Sequence, residues 1–254
     1  MASVIHNIFF IERLNTNFLP LYLHPHFFMA RYWWKILCIL ILLYVVIMGF
    51  FIPIPILPVG SLRESIRNLF FHVPMWYIML TCFLTSVIYG IIFLRTNNQK
   101  YDLISSEFVQ TGLWFGFLGL ITGMEWASIQ WGAPWSNDPK QKGAAFTLLV
   151  YVAYSVLRDS IKENDKKARL SAIYNIFAFA ILIPAIYILP AHSDSLHPGA
   201  KNEGAFDTLK HTDSLLKFVS LPAFVGWILL GFWVTNIKIR IKKIQHPDLY
   251  EEIS

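Results

Sequence analysis

Three tryptophans fall within ten residues of the stretch MEWASIQWGAPWSNDPKQKG, which covers residues 124–143: Trp126, Trp131 and Trp135. An apolar, aromatic surface outside a bilayer marks a binding site more often than an ordinary loop does. Gly132 and Pro134 interrupt the stretch, and both residue types shape a backbone that can approach a flat partner closely. The residues therefore indicate a stacking surface, although interfacial tryptophan also serves as a membrane anchor.

Histidines in two other segments suggest what such a surface would bind. His72 lies in RNLFFHVPMW, and three more lie in LPAHSDSLHPGAKNEGAFDTLKHTD: His192, His197 and His211. Two imidazoles from separate loops can supply both axial ligands of a haem iron, and indole rings can stack on the porphyrin. Zinc would require a compact set of Cys, His or carboxylate ligands. The histidine spacing shows no such set and favours haem.

Cationic side chains in the same loops would complete a haem site. Arg63, Arg67 and Lys140 can form charge-assisted hydrogen bonds with the two propionates. Iron, ring and carboxylates would then each have a partner among these residues.

Long apolar blocks must position these loops. The chain is 56% hydrophobic and 15% charged, whereas a soluble domain averages roughly 25% charged residues. A membrane-spanning helix needs about 20 apolar residues, and continuous rather than alternating blocks favour helices over a barrel. We expect an all-α polytopic membrane protein with six transmembrane helices: Ile36–Leu57, Val73–Leu94, Leu103–Met124, Gly143–Leu157, Leu170–Pro190 and Phe218–Ile237. The fourth is the shortest and would also fit a buried or re-entrant segment.

The distribution of basic residues predicts the orientation. Of the 21 lysines and arginines, 14 lie in the N-terminal arm, the second and fourth loops and the C-terminal tail. Basic residues are enriched on the cytoplasmic side, so both termini are expected there. Loops one, three and five, which carry the histidines and tryptophans above, would share the outer face. The net charge of +5 reflects this enrichment of basic residues on the cytoplasmic side. The sequence shows no basic and aromatic pattern of the kind that would indicate nucleic-acid binding.

The remaining sequence limits the domains and the chemistry. Residues 1–28 make a poor signal peptide and are expected to be a dispensable arm, while residues 29–254 would form a single transmembrane haem-handling domain. The two cysteines, Cys38 and Cys82, both lie in predicted spans, and no C-x-x-C-H motif for covalent haem occurs. No P-loop motif occurs either, so any ATPase would be another subunit.

Three motifs in order resemble one family. WGAPWSNDPK resembles the tryptophan-rich signature W-G-x-x-W-x-W-D of haem-handling proteins of cytochrome c biogenesis. FFHVPMWYIML is similar to the I-H-V-P segment that opens the second helix of the cytochrome c maturation protein C (CcmC) family. SLHPG is similar to the L-H-Q-G segment before that family's last helix. The likeness extends from Met29 to about Lys243.

The resemblance implies a role for each matched residue. His72 and His197 match the family's two external histidines, which are axial haem ligands, although His192 lies only five residues before His197. Trp131, Gly132, Trp135 and Asp138 match the signature, and Lys140 stands where the family often has Arg. Asn137 departs from the pattern because it replaces the third signature tryptophan, and Trp126 is the upstream residue expected to compensate.

The function implied by the resemblance is haem delivery rather than an enzymatic reaction. Such a protein of the bacterial inner membrane holds haem b non-covalently on the periplasmic face and presents it to a membrane-anchored haem chaperone, CcmE. It would associate with the ATPase and permease subunits of an ABC-type complex. Trp131 and Trp135 are expected to contact both haem and chaperone.

Three alternatives remain open from the sequence. A haem–apocytochrome c ligase of the CcsA type shares the tryptophan signature, but such proteins often carry histidines within spans, and the six spans here contain none. An electron-transfer cytochrome would need the same intramembrane histidines. A secondary transporter unrelated to haem would need ionisable residues along its path. Glu107 is expected to snorkel to water at the cytoplasmic end, so it gives the transporter hypothesis little support.

Overall fold

Six long helices dominate the computed structural model. The structure describes residues 25–54, 64–197 and 214–245, and for residues 25–31 it describes the backbone alone. The helices are α1 (Pro25–Phe51), α2 (His72–Thr96), α3 (Gln99–Trp131), α4 (Pro139–Ser160), α5 (Asn164–Ile183) and α6 (Ser214–Gln245). A 3-10 helix, Glu64–Phe70, leads into α2. A π-helical turn, Pro184–Ile188, and a short helical turn, Leu189–Ala191, continue α5. These ranges contain no β-strand, which confirms the all-α prediction.

Five of the six helices are long and apolar enough to cross a membrane: Tyr32–Phe51, Glu64–Thr96, Gln99–Trp131, Asn164–Ala191 and Ser214–Gln245. The chain is therefore a multi-pass membrane protein. Helix α4 is not one of the five, although its 22 residues match the predicted fourth segment. Lys140, Gln141 and Lys142 at its start, and Arg158 and Asp159 at its end, leave an apolar stretch below the roughly 20 residues that a span needs. A sixth span stays a prediction.

Helices α2 and α3 form the centre of the bundle. On one side, Met79 and Phe83 of α2 pack with Leu113 of α3 against side chains of α4 and α5. On the other side, Ile78, Cys82 and Phe108 pack against α6. Helix α1 packs on α6 and the 3-10 helix in a separate cluster that includes Val45, Phe70 and Val219. The central pair therefore lies between α4 and α5 on one side and α6 on the other, and α1 joins the bundle through α6 and the 3-10 helix.

A row of glycines on α3 allows this close packing. A Cβ on Gly112 would lie 2.6 Å from the Phe83 ring, and one on Gly119 would lie 3.0 Å from the Trp76 ring. A Cβ on Gly123, one turn further along α3, would lie 2.6 Å from Cε1 of His72. Small residues at such helix contacts let backbones approach inside a membrane. The row therefore seats α2, and with it His72, directly on the surface of α3.

Two ion pairs hold the opposite end of the bundle. Arg158 of α4 donates two parallel hydrogen bonds to Asp102 of α3, at 2.8 and 2.6 Å. Nζ of Lys238 on α6 lies 3.0 Å from Oε2 of Glu107 and donates to Gln110 at 3.0 Å. Glu107 is only 2% exposed. The expectation that it snorkels to water is therefore wrong, because α6 supplies an ammonium group that pairs with it inside the bundle.

We expect Arg158→Met to destabilise the protein, because it leaves the buried Asp102 carboxylate without its bidentate partner. Breaking a buried pair costs about 3–5 kcal/mol, which thermal unfolding in detergent would detect as a large fall in midpoint. Arg169→Met is the matched control, since Arg169 is exposed and donates to Asn97 at the surface. The double variant Arg158→Met/Asp102→Leu should recover much of the loss. A fall no larger than that of the control would contradict a stabilising role for the pair.

Candidate functional site

Four segments meet at one end of the bundle and bring most of the predicted site residues together. They are the start of α2 with His72, the end of α3 with Trp126 and Trp131, the start of α4, and residues 192–197 beyond α5. Gly143 allows the last approach, because α4 passes directly against the carbonyl oxygen of Ala185 in the π-helical turn. The segment after that turn consequently lies over the first turn of α4.

Asp138 ties the start of α4 to residues 195–197. Its Oδ1 accepts hydrogen bonds from the backbone N–H of Lys140 at 2.9 Å and of Gln141 at 3.2 Å, so the residue is the N-cap of α4. Its Oδ2 accepts from Ser195 Oγ at 2.8 Å and from the backbone N–H of Leu196 at 2.7 Å. One carboxylate therefore fixes two segments that are more than 50 residues apart in the chain.

The same carboxylate orients His197. Nδ1 of His197 lies 3.2 Å from Oδ1 of Asp138, whose side chain is completely buried while the imidazole is 20% exposed. Since a carboxylate accepts only, Nδ1 carries the proton and Nε2 is left with its lone pair. A carboxylate behind a histidine is the common arrangement for a metal-ligating imidazole, because it fixes the tautomer and raises ligand basicity.

The electrostatics keep this carboxylate ionised. Burial alone would raise the pKa of Asp138, but the hydrogen bonds from His197, Ser195 and Leu196 outweigh it and hold that pKa below the usual range. A depressed pKa contributes stability that is present at neutral pH and is lost only as the pH falls through the folded-state value. Burial lowers the pKa of Lys140, and attraction to Asp138 counteracts that effect.

Aromatic rings surround His197 on the α3 side. The ring of Trp131 stands edge-on to the imidazole with centroids 5.1 Å apart, and Trp126 lies 6.5 Å away. The two indoles pack edge-to-face on each other at 5.5 Å. Trp126 thus occupies the same cluster as the signature residue Trp131, and its compensation for Asn137 stays a prediction.

His72 is held on the same face of α3 by different partners. Its Nδ1 lies 3.1 Å from Oγ1 of Thr122, and the indole N–H of Trp76 donates to its Nε2 at 3.3 Å. Thr122 lies four residues before Trp126 on the same face of α3, and the Trp126 ring lies 6.5 Å from the His197 ring. His72 and His197 therefore lie at the same end of the bundle rather than on opposite faces.

The loop between α3 and α4 presents its last tryptophan outward. Gly132 ends α3 in the left-handed conformation at φ 78°, and its N–H donates to Ser128. Gln141 accepts hydrogen bonds from the N–H and Oγ of Ser136 and donates to the carbonyl of Pro134. Between these anchors, Trp135 remains 43% exposed. The loop is thus a fixed structure that leaves one indole accessible.

Of the two predicted arginines, the structure describes Arg67, which bonds to other partners. Arg67 donates to the carbonyl oxygens of Gly49 and Ile52 at the end of α1, and to Glu64 at 2.6 Å. Those bonds give it a structural role as a helix cap, and its contact with a propionate stays a prediction. Arg63 lies outside the described residues. His192 is exposed and follows the short turn that ends α5.

Several residues of the site were missed from the sequence. They are Trp76, Thr122, Gly123, Gln141 and Ser195. Two signals could have found some of them: Trp76 follows His72 by four residues on a helix, which places both on one face, and Asp138-x-x-Gln141 is the spacing of a helix capping box. Nothing local marks Thr122 or Ser195, because their partners come from distant segments.

The chemistry of this set fits a porphyrin iron better than a bare metal ion. Two imidazoles with oriented tautomers could supply axial ligands to a haem iron, and the indoles could supply ring contacts. In the part of the chain that the structure describes, no group of three or more His, Cys, Asp or Glu could hold a metal ion. A porphyrin brings four nitrogen ligands of its own, so two histidines suffice.

Comparison with known proteins points in the same direction. The model of the family described as Heme exporter protein C (CcmC) matches residues 21–249. The chain is also similar to cytochrome c biogenesis protein CcsA from Prochlorococcus marinus (strain NATL2A), with 33% identity over 94 residues, 37% of this chain and 30% of that protein. It is similar to CcsA from Cyanidium caldarium, with 32% identity over 130 residues, 50% of this chain and 44% of that protein. The matched parts thus cover less than half the length of these relatives.

We expect Asp138→Ala to free residues 195–197 and to weaken the start of α4. Loss of an N-cap costs about 1 kcal/mol, and the amide of Leu196 loses its acceptor. Hydrogen–deuterium exchange should therefore rise sharply at Leu196 and in the first turn of α4. Asp138→Asn should preserve most of the cap, since Asn is an equally good N-cap, and Asp159→Ala, at an exposed site at the other end of α4, is the control. Unchanged protection of Leu196 in Asp138→Ala would contradict the contact.

Proposed function

Because the chain belongs to the Heme exporter protein C (CcmC) family, we propose that it holds haem b on the outer face of the membrane and delivers it to the haem chaperone CcmE. Membership of this family supports a role in cytochrome c maturation. The haem would be the cargo, bound without a covalent bond. The only two cysteines of the chain, Cys38 and Cys82, are buried within helices α1 and α2, so neither is available for a thioether link.

One observation carries the proposal. His72, His197, Trp126 and Trp131 come from three distant segments and meet at one end of the bundle, beside Asp138 and Lys140. Each type of contact that a haem needs has a candidate there: imidazole for iron, indole for the ring, and ammonium for a propionate. The convergence is the feature that a carrier requires and that a purely structural loop would not need.

The division of labour follows from the hydrogen bonds. Asp138 holds His197 with Nδ1 protonated, so that Nε2 can donate its lone pair to iron. Trp131 and Trp126 limit the water around that imidazole. Lys140, in the first turn of α4 beside Asp138, would supply a positive charge that attracts a propionate. A haem iron would supply the Lewis acidity, and the two imidazoles would hold the porphyrin through it.

Trp135 is suited to the transfer step. It is 43% exposed, on a loop that Gln141 and Gly132 hold in a fixed shape. A carrier must leave one edge of its cargo open to the acceptor, unlike a closed cavity that buries most of its ligand. We therefore assign Trp135 to the contact shared by haem and chaperone.

The proposed setting is the bacterial inner membrane, with both termini cytoplasmic and the site periplasmic. The distribution of lysine and arginine supports this orientation. The chain has no P-loop motif, so ATP hydrolysis would belong to the ATPase subunit of an associated ABC-type complex with its permease. In this scheme the chain is a carrier and not an enzyme.

The sharpest test of haem binding is the visible spectrum of the protein purified from haem-replete cells. We expect a Soret band in the wild type and its loss, or a shift to a five-coordinate spectrum, in His72→Ala and in His197→Ala. His192→Ala is the matched control, since His192 is exposed and close in sequence to His197. A colourless wild type would refute haem binding. Loss of the Soret band in His192→Ala instead of His197→Ala would show that His192 is the second axial ligand.

We expect Trp135→Ala to bind haem and yet to transfer it to purified CcmE about tenfold more slowly. The reason is the loss of one stacking contact between an aromatic side chain and a planar ring, which is worth about 1–3 kcal/mol when the planar ring is a nucleic-acid base. Transfer is measured as the haem recovered on the chaperone over time. Trp114→Ala is the control, because Trp114 is 69% exposed on the middle of α3, away from the loop. Full transfer by Trp135→Ala would exclude this role.

The same preparation separates the carrier from the CcsA-type ligase. Incubation of the haem-loaded protein with an apocytochrome that carries C-x-x-C-H, without CcmE, should leave the haem extractable by acidified acetone. Covalent haem on the apocytochrome under those conditions would favour the ligase. The ligase is the main alternative because the matched relatives are named cytochrome c biogenesis protein CcsA.

A further inference from the structure

The two candidate haem-ligating histidines have different hydrogen-bond partners. This difference bears on how the protein would release haem. Building on the proposed haem binding, we propose that Trp76 and Thr122 are positioning residues that make His72 the exchangeable ligand, while Asp138 makes His197 the retained one. The inference deepens the proposed function and adds two residues to it.

The hydrogen bonds define the tautomer of His72. The hydroxyl of Thr122 donates to the carbonyl oxygen of Leu118 at 2.8 Å, so its oxygen accepts from Nδ1 of His72 at 3.1 Å. The indole N–H of Trp76 is a donor only, and it lies 3.3 Å from Nε2. Both contacts agree on one state, in which Nδ1 carries the proton and Nε2 carries the lone pair.

Trp76 therefore occupies the lone pair that iron would use. His72 can bind a metal through Nε2 only after the Trp76 indole moves away, and the indole can return when the metal leaves. Trp76 lies four residues after His72 on α2, so both side chains share one helix face and the competing donor is always nearby. The Trp76 ring also packs against Gly119 of α3, which keeps it beside the imidazole.

His197 has the opposite arrangement. Its Nδ1 bonds a buried carboxylate instead of a neutral hydroxyl, and that carboxylate is itself held by Ser195 and Leu196. An anionic partner raises the basicity of an imidazole ligand more than a hydroxyl does. Trp131 stands T-shaped to the His197 ring at 5.1 Å, and among the described residues the ring of His197 is hydrogen-bonded through Nδ1 to Asp138 and not to an indole N–H. The His197 bond to iron should therefore be the stronger of the two.

An exchangeable ligand beside a retained one suits a carrier. An incoming ligand from the acceptor protein can replace His72 while His197 still holds the iron, so the porphyrin is never released into water. The hydrogen bond between Trp76 and Nε2 then re-forms and prevents the ligand from rebinding at once.

Release rates of ferric haem test this division. The detergent-solubilised protein is loaded with haemin and mixed with excess apomyoglobin, and the spectral change gives the rate of loss. Trp76→Phe should slow the loss by about two- to tenfold, as expected for removal of one competing hydrogen bond. Thr122→Val should speed it, because the Thr122 hydroxyl no longer favours the tautomer in which Nδ1 is protonated and Nε2 is free to bind iron. Thr122→Ser, which keeps the hydroxyl, should match the wild type.

Trp114→Phe provides the matched control for Trp76→Phe, since Trp114 is an exposed α3 residue outside the site. A second readout is the fraction of six-coordinate low-spin iron at equilibrium, which should rise in Trp76→Phe and fall in Thr122→Val. If Trp76→Phe does not fold, as judged by its thermal midpoint, the comparison of Thr122→Val with Thr122→Ser decides the question alone.

The outcomes separate the two levels of the argument. A wild type that binds no haemin refutes the proposed function together with this inference. A wild type that binds haemin, while Trp76→Phe equals Trp114→Phe and Thr122→Val equals Thr122→Ser, refutes the inference and leaves the proposed function standing. Faster loss in Trp76→Phe would also refute it, because Trp76 would then be a support for bound haem instead of a competitor.

Discussion

The end of the bundle that holds the candidate site is organised around one buried carboxylate, that of Asp138. It caps α4, accepts from Ser195 and Leu196, and orients His197. A buried anion is costly unless each lone pair has a donor, and here backbone and side-chain donors from two segments supply them. The free-energy cost of burying the carboxylate thus explains why the α3–α4 loop, the start of α4 and residues 195–197 are held together.

A second constraint acts through the central helix pair. The glycines of α3 bring α2 close along its length, and the last of them, Gly123, faces the ring of His72. His72 is consequently positioned by helix packing, whereas His197 is positioned by a loop held on Asp138. The ion pairs between Asp102 and Arg158 and between Glu107 and Lys238 secure the other end of the same helices. Packing fixes the helices, and local polar contacts fix the histidine on the loop.

The sequence predicted the helices well because apolar blocks have a length set by the bilayer. It also predicted that loops one, three and five would meet, since alternating loops share a face. The fourth helix exists as expected, but its charged ends leave it too polar to count as a span on composition. The position of Glu107 was misjudged because its partner, Lys238, lies more than 100 residues away in the chain. The bonds of Arg67 to the carbonyls of Gly49 and Ile52 were not foreseen either, because they depend on how the 3-10 helix packs on the end of α1.

The same limit explains why the site was only partly visible from the sequence. Motif likeness identified His72, His197 and Asp138, yet what each does depends on the neighbour that the fold supplies. Thr122 and Trp76 give one imidazole a neutral hydroxyl and an indole, while Asp138 gives the other an anion. Residue types alone would make the two histidines equivalent. Tertiary structure makes them different, and an unequal pair can both hold a ligand and exchange it, whereas an equal pair would have to compromise between the two.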